Sequence, residues 1–547
     1  MSIETPIHGV APRAAPAPRP GSAALLAAGL AAAAAAVAAR WGSFVAGGSD
    51  SYCYVALARG WLDGSVFGPV ATTFPLEWTN GPLSVVPTGF TPSPVVPGGM
   101  APICAPGLSL LMAGAERLAG QGAAFAVVPA FGTLAVWSAF ALGRLLADWR
   151  AGLLAACLTL CSPIFLFQLL QPMSDVPAAA LWVTAPALAA SGSAGGHFIA
   201  GLAVGVALAV RPNLLPLVVP FLLLFLLAGH RTSRRVRIRH AALFGVATLP
   251  GIACTLWMNA LFYGSPSSSG YGDPALLFQW SHVSLNLARY PTWLVESQTP
   301  WILLAVAAPF ILPGASPSSR YSPRALALTA IGVLGMGLVV YLPYVVFDSW
   351  TYLRFLLPGV LLLVVTSAAA TIRLFSAVPR RLQAFGLSLV AAGLATWFIS
   401  VSADRYAFDL AASEARFVEA GQWIDRHLPR EAVVLTTFQS GSVRLYGHRQ
   451  TVLWDALEPT ELDLVVDTLR ASGHRPFFLL ERWEVAPFRA RFSGHSAVSA
   501  LDWPPRVQIG REVEIFDPAD RARFYAGERI GTERVVAAAE RGPRPRR

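Results

Sequence analysis

The chain is 547 residues long, 54% apolar and only 13% charged, with a formal net charge of +10 and a mean hydropathy of +0.53. A soluble protein carries about 25% charged residues, so this composition excludes a purely water-soluble multidomain chain and places its bulk in lipid. No lysine occurs among the 41 basic residues, which excludes a Walker phosphate loop and lysine Schiff-base chemistry.

A membrane-crossing helix needs about 20 mostly apolar residues. After an Ala- and Pro-rich tail over 1–20, read as disordered and cytoplasmic, the candidates are 22–40, 124–143, 151–170, 176–190, 198–210 and 213–228. Further ones follow at 241–262, 299–313, 325–347, 353–371 and 382–401, about eleven spans within 21–402. The first could also be read as a secretory signal, but it runs long and lacks a compact basic start. Between the first two spans lies a long outer loop, 41–122. Its end, 103–119, is shorter, Pro-broken and carries Glu116 and Arg117, so it reads as re-entrant or interfacial. Beyond 402 the pattern changes. Helical periodicity at 417–428 and 461–471 alternates with strand-like runs at 432–437 and 476–481, predicting a small α/β domain over 403–520. An Arg- and Pro-rich tail, 521–547, closes the chain. Five cysteines are too few for a disulfide framework. Cys157 and Cys161 read as core residues, whereas Cys53 and Cys104 flank one polar segment and could pair.

Orientation follows from the densest basic loop, Arg231 to Arg239, which the positive-inside rule assigns to the cytoplasm. Arg144–Arg150, Arg320 with Arg324, and Arg373 with Arg380 and Arg381 then also fall inside. Asp50, Asp175, Arg211, Asp348 and everything after 402 fall outside. The N-terminus is cytoplasmic provided that 103–119 does not cross. The predicted fold is therefore a polytopic α-helical membrane protein with a C-terminal extracytoplasmic α/β domain, in the inner (plasma) membrane. The positive charge is in part a topology signal, and no nucleic-acid partner is required.

A few polar residues at the outer edge need explaining. Asp50, in Gly47-Gly-Ser-Asp-Ser-Tyr-Cys-Tyr54, is either a carboxylate facing a cavity as a general base or an N-cap of the next helix. Asp175, in Gln171-Pro-Met-Ser-Asp-Val-Pro177, repeats the arrangement. Arg211 interrupts an apolar stretch with Pro212 and Asn213, and ionisable groups so placed are functional by default. Arg354 heads a span after an aromatic run that includes Tyr352; its planar fork suits a phosphate, and the alternative is a salt bridge to Asp348 or Asp175. Glu77 and Trp78, with Asn80, suit a sugar or polyol, although Trp78 equally reads as an interfacial anchor. His282 has no paired His spacing and reads as a loop residue rather than a metal ligand.

Together these residues resemble the GT-C superfamily of membrane glycosyltransferases, in particular bacterial relatives of the protein O-mannosyltransferases and aminoarabinose transferases. The likeness rests on Ser49-Asp-Ser-Tyr52, Pro172-Met-Ser-Asp-Val-Pro177, Val210-Arg-Pro-Asn213 and Tyr352-Leu-Arg-Phe-Leu-Leu-Pro358, in that order, across 22–400. It implies inverting transfer of a hexosyl or pentosyl group from a polyprenyl-phosphate donor, on the outer face, to a glycan, lipid or protein acceptor. Asp50 would be the base, Asp175 would orient hydroxyls, and Arg354 with Arg211 would hold the lipid phosphate. Tyr54, Glu77, Trp78 and Tyr352 would line the substrate site. No metal ligands are assigned, while a divalent metal stays open. Two departures stand out: Ser51 follows Asp50 where the O-mannosyltransferases have a second acid, and the phosphate-binding lysine of the aminoarabinose transferases has no counterpart. The competing expectations are a secondary transporter using Asp50, Asp175 and Arg211, though no two-halves symmetry is visible, and a non-catalytic envelope assembly protein.

Overall fold

The structure is a computed structural model that describes residues 20–66, 70, 72–120, 122–228, 233–315 and 320–538. The expected tail over 1–19, Arg231 at the start of the basic loop, and 539–547 lie outside the described residues.

Among the described residues, six helices are long and apolar enough to cross a membrane: Gly21–Trp41, Ala123–Leu146, Arg234–Tyr263, Pro323–Tyr341, Trp350–Phe375 and Arg381–Asp404. Two more candidates are bent pairs, Trp149–Cys161 with Pro163–Leu169 (59°) and Trp280–Gln298 with Pro300–Ile311 (111°). The second bend has Thr299 at a positive φ of 58° followed by Pro300. The three remaining predicted spans coincide with shorter apolar helices, Asp175–Ala189, Ala194–Val210 and Pro212–Leu227. By length alone, then, six to eight segments qualify as spans, and the chain is a multi-pass membrane protein. The segment read as re-entrant is a 14-residue helix, Pro106–Ala119, about 21 Å long, against a hydrocarbon core of about 30 Å.

Burial ranks these helices. Every residue from Leu357 to Ile372 is buried, so this helix is the hub of the bundle, and its preceding turn holds Arg354. By contrast, Arg381–Asp404 shows most of its apolar side chains to the outside, including Phe385, Leu389 and Trp397, as suits contact with lipid. Helices Ala194–Val210 and Arg234–Tyr263 touch backbone to backbone. A Cβ at Gly251 would overlap the Gly205 carbonyl oxygen, so only glycine fits there.

A short antiparallel ribbon, β1 (Phe90–Pro92) and β2 (Met100–Pro102), crosses the long loop after the first helix. The C-terminal unit contains β3 (Ala432–Leu435), β4 (Gln450–Val452), β5 (Arg475–Glu481), β6 (Val507–Ile509), β7 (Val513–Phe516) and β8 (Glu533–Val535). They form a mixed sheet in the order β4-β3-β5-β7-β6-β8, parallel for β4-β3-β5 and β6-β8, antiparallel through β7. Strands β3 and β5 are almost entirely apolar because helices cover both faces of the sheet. The tail expected from 521 onward departs from the sequence reading. Pro518–Tyr525 is helical and β8 completes the sheet, because Arg506 and Arg523 pair with the buried Asp520.

The loop over 64–102 is clasped to this unit. Phe74, Trp78 and Val85 enter its core beside Val433, Trp454 and Phe478. Thr79 donates through N and Oγ1 to Glu461 Oε1 at 2.7 and 2.6 Å. Cys53 and Cys104 form a disulfide that ties the helix Asp50–Asp63 to the segment after β2. Gly47, just before that helix, has no room for a side chain: a Cβ would lie 2.3 Å from Phe417 Cδ2 and 2.8 Å from Glu414 Oε2. Gly47→Ala is therefore expected to cost about 1–3 kcal/mol through overpacking, seen as a lowered melting temperature in detergent. Gly29→Ala, where a Cβ meets nothing within 4 Å, is the control.

Candidate functional site

Two helices begin on a carboxylate at the same end of the bundle. Asp50 is the first residue of Asp50–Asp63, after Ser49, and Asp175 the first of Asp175–Ala189, after Ser174. Neither is an N-cap, as one sequence reading had it. The caps are the serines, and neither makes a side-chain capping bond. A carboxylate in a first turn is favoured by the helix dipole. Two arginines meet these acids. Arg211 lies where Ala194–Val210 stops, its φ of −143° and ψ of 87° being the extended conformation that a following proline imposes. Arg354 sits in the turn Trp350–Leu356 that starts the central helix.

Arg211 Nη1 donates to Asp175 Oδ1. Arg354 Nη2 donates to Asp50 Oδ2 at 3.0 Å, and its Nη1 lies 3.9 Å from Asp175 Oδ2. One guanidinium thus spans both acids. The two carboxylates differ in access: the Asp175 side chain is 1% exposed and that of Asp50 37%. Asp175 Oδ2 and Arg354 Nε are buried without a hydrogen bond, so the quartet retains unused polar capacity. Such groups are costly unless a ligand or water meets them.

These four residues line a cavity of about 540 Å³, joined by Tyr54, Tyr352, Asn213 and Tyr271. Tyr54 donates to Ser174 Oγ at 2.9 Å and Asn213 Nδ2 to the Tyr341 hydroxyl at 2.6 Å. Tyr352 stacks on Phe347 with ring centroids 3.7 Å apart. The Arg354 guanidinium lies 5.3 Å from the Tyr352 ring and 5.4 Å from Phe355, and Arg211 lies 5.5 Å from Phe355. The result is an amphipathic pocket with two cations at its base and aromatic walls, the usual composition of a small-molecule site.

The structure therefore brings together Asp50, Asp175, Arg211, Arg354, Tyr54 and Tyr352, six of the eight residues singled out in the sequence. Glu77 and Trp78 are corrections. Glu77 is exposed, and Trp78, 5% exposed, is buried in the core of the C-terminal unit with its Nε1 donating to Ser84 Oγ. Neither lines the cavity, and Trp78 is no interfacial anchor. Arg354 pairs with Asp50 and approaches Asp175, while Asp348 pairs with Arg289 instead. His282 faces the Pro343 carbonyl at 3.1 Å. The sequence reading missed Tyr341, Tyr344 and Tyr271. The first two belong to an aromatic-dense run that was visible, whereas Tyr271 sits in a loop with no local signal. Among the described residues no group of three or more His, Cys, Asp or Glu side chains is placed to hold a metal ion.

The C-terminal unit also carries buried carboxylates, one of them beside the segment that precedes Asp50. Glu414 approaches Gly47, and burial raises its carboxyl above the usual range. Glu484 is pushed up to about 7 by burial, against the backbone N–H groups of Glu481 and Phe438 that favour its charged form.

Residues 104–257, which carry Asp175 and Arg211 but not Asp50 or Arg354, match the family described as dolichyl-phosphate-mannose-protein mannosyltransferase. No curated protein matches the chain. Among solved structures, ArnT from Cupriavidus metallidurans bound to undecaprenyl phosphate is 12% identical, aligned over 91% of this chain and 98% of that one, with a TM-score of 0.54. The Archaeoglobus fulgidus oligosaccharyltransferase in complex with Zn and sulfate is 13% identical, over 84% of this chain and 69% of that one, at 0.54. The archaeal oligosaccharyltransferase AglB from the same organism, with an inhibitory peptide and a dolichol-phosphate, is 13% identical over 88% and 72%, at 0.50. The likeness that the short motifs carried is also the one these comparisons return, and the chain has the fold of these solved structures.

Proposed function

We propose that this chain transfers a sugar, hexosyl or pentosyl, from a polyprenyl-phosphate donor to a glycan, lipid or protein acceptor at the outer face of the inner membrane. The observation that carries this reading is the Arg354 guanidinium spanning Asp50 and Asp175 at the base of the cavity. Arg354 and Arg211 would hold the lipid phosphate, for which planar, permanently charged forks are well suited. The acceptor oxygen attacks the anomeric carbon, the bond from that carbon to the phosphate oxygen breaks, and polyprenyl phosphate leaves with the electron pair. The acceptor proton passes to Asp50, the more exposed of the two acids. Attack opposite the leaving group inverts the anomeric centre. Asp175, held by Arg211, orients rather than accepts. Support for a lipid-borne donor comes from ArnT and AglB, whose structures contain undecaprenyl phosphate and a dolichol-phosphate.

The positive-inside rule supports a cytoplasmic N-terminus and an outer C-terminal unit in this reading, in which the short apolar helices would bring the crossings to about eleven. The quartet does not fit a divalent metal. Both acids are already paired with arginine, and no third acidic, His or Cys ligand converges on them among the described residues; hence no step runs through a metal. The test is reconstitution in proteoliposomes with polyprenyl-phosphate sugars. The donor should be consumed and polyprenyl phosphate released, with turnover persisting in excess chelator. Solute uptake without consumption of lipid-linked sugar would refute the reading.

A further inference from the structure

A second concavity, of about 890 Å³, lies on the C-terminal unit and is lined by Arg416, Phe438, Glu481, Trp483, Arg511 and Glu512 among others. Within this lining Trp483 is 56% exposed, yet its ring is fixed from two sides. Its Nε1 donates to Glu481 Oε2 at 3.0 Å, and Phe438 packs edge-on with centroids 5.4 Å apart. Glu481 is itself immobilised: it is 2% exposed and accepts from Arg416 Nε at 2.9 Å and Gln439 Nε2 at 3.0 Å. Arg416 in turn stacks over Phe417, 4.4 Å from the ring centre. A large apolar ring has been ordered at its polar edge and one flank while the rest stays open to solvent.

A tryptophan serving only as an interfacial anchor would direct its N–H toward lipid headgroups. Here the N–H is spent on a buried carboxylate inside a concave, charge-lined surface. Such an arrangement fits a ligand that is flat and apolar on one face and hydroxylated at its rim, which is a pyranose ring. The groove also neighbours the segment that leads into Asp50. Phe438, which flanks Trp483, lies against Gly48, where a Cβ would sit 3.4 Å from its Cζ. Gly48 is two residues from Asp50.

Building on the transfer reading above, we propose that this groove is a saccharide subsite of the acceptor: a sugar unit stacks on Trp483 while the hydroxyl to be glycosylated reaches Asp50. The acceptor class is thereby narrowed to a glycan or a glycan-bearing molecule. The test uses the purified full chain in detergent and three oligosaccharide probes of different charge and linkage: maltotriose, chitotriose and tri-galacturonate. Binding is read by saturation-transfer NMR and titration calorimetry, with no donor present. At least one probe should bind saturably. Trp483→Ala should weaken that binding about tenfold or more, equivalent to about 1.4 kcal/mol, while Trp483→Phe should retain most of it. Binding is read without donor, so the groove is judged separately from the transfer chemistry. The proposal is overturned if none of the three probes binds saturably, or if Trp483→Ala binds them as well as the parent chain. It is equally overturned if that variant loses only affinity for sugar-free phospholipid vesicles, the mark of an interfacial anchor.

Discussion

Asp50→Asn is expected to lower sugar transfer by about 10²–10⁴-fold, the usual contribution of a positioned general base, while donor binding survives. The amide keeps the size of the side chain and a hydrogen-bonding oxygen for Arg354 but cannot take the acceptor proton. The geometry explains why binding should persist. Arg354 keeps its approach to Asp175 at 3.9 Å, and Arg211 keeps its own bond to Asp175. In the proposed reading the lipid phosphate would compete with Asp50 for the same guanidinium, so the variant should hold polyprenyl phosphate at least as well. Single-turnover transfer, alongside equilibrium binding of polyprenyl phosphate, separates the two effects. If turnover and binding fall together, Asp50 acts as a structural partner of Arg354 and not as the base.

Arg211→Ala should be the most damaging change to stability, about 3–5 kcal/mol, because it strands a buried charge. Asp175 is 1% exposed, and its remaining cationic neighbour is 3.9 Å away without a hydrogen bond. Arg354→Ala should cost less. Its nearer partner, Asp50, is 37% exposed and can be rehydrated, so the Coulomb term there is largely replaced by water. Thermal unfolding in detergent should therefore rank the two variants in that order. Adding Asp175→Ala to Arg211→Ala should recover part of the loss, since the stranded charge goes with it. Equal melting temperatures for the two arginine variants would mean that the buried pair is no more tightly coupled than the partly exposed one.

The four charged residues were legible in the sequence because charge is rare in this chain, and a lone ionisable group beside an apolar run must be accounted for. The helical regions were legible for the same reason of contrast. Apolarity alone, however, does not report bending, so a predicted span such as 299–313 proves to be the far arm of a 111° break. Glu77 and Trp78 were misread because an acid and an indole in a Pro- and Gly-rich loop look alike whether they meet a sugar or another part of the protein. What decides for Trp78 is packing against residues near 433–516, more than 350 positions away, and no local pattern encodes that. The tyrosine wall was half visible, since Tyr341, Tyr344 and Tyr352 share one aromatic run. Its inward face depends on how the turn Trp350–Leu356 enters the central helix. The cap alternative for the two aspartates lies a single residue from the observed caps, Ser49 and Ser174, the ordinary uncertainty of a helix boundary.

The bond between Cys53 and Cys104 has a bearing on compartment. Disulfides persist in oxidising surroundings and are rare where glutathione and thioredoxin act. This one begins three residues after Asp50, on the same helix. The bond is therefore an argument, independent of where the arginines collect, for the outer placement proposed above. Under that proposal, a chain inserted in the opposite sense would lose both its charge bias and the oxidising surroundings that keep this link closed.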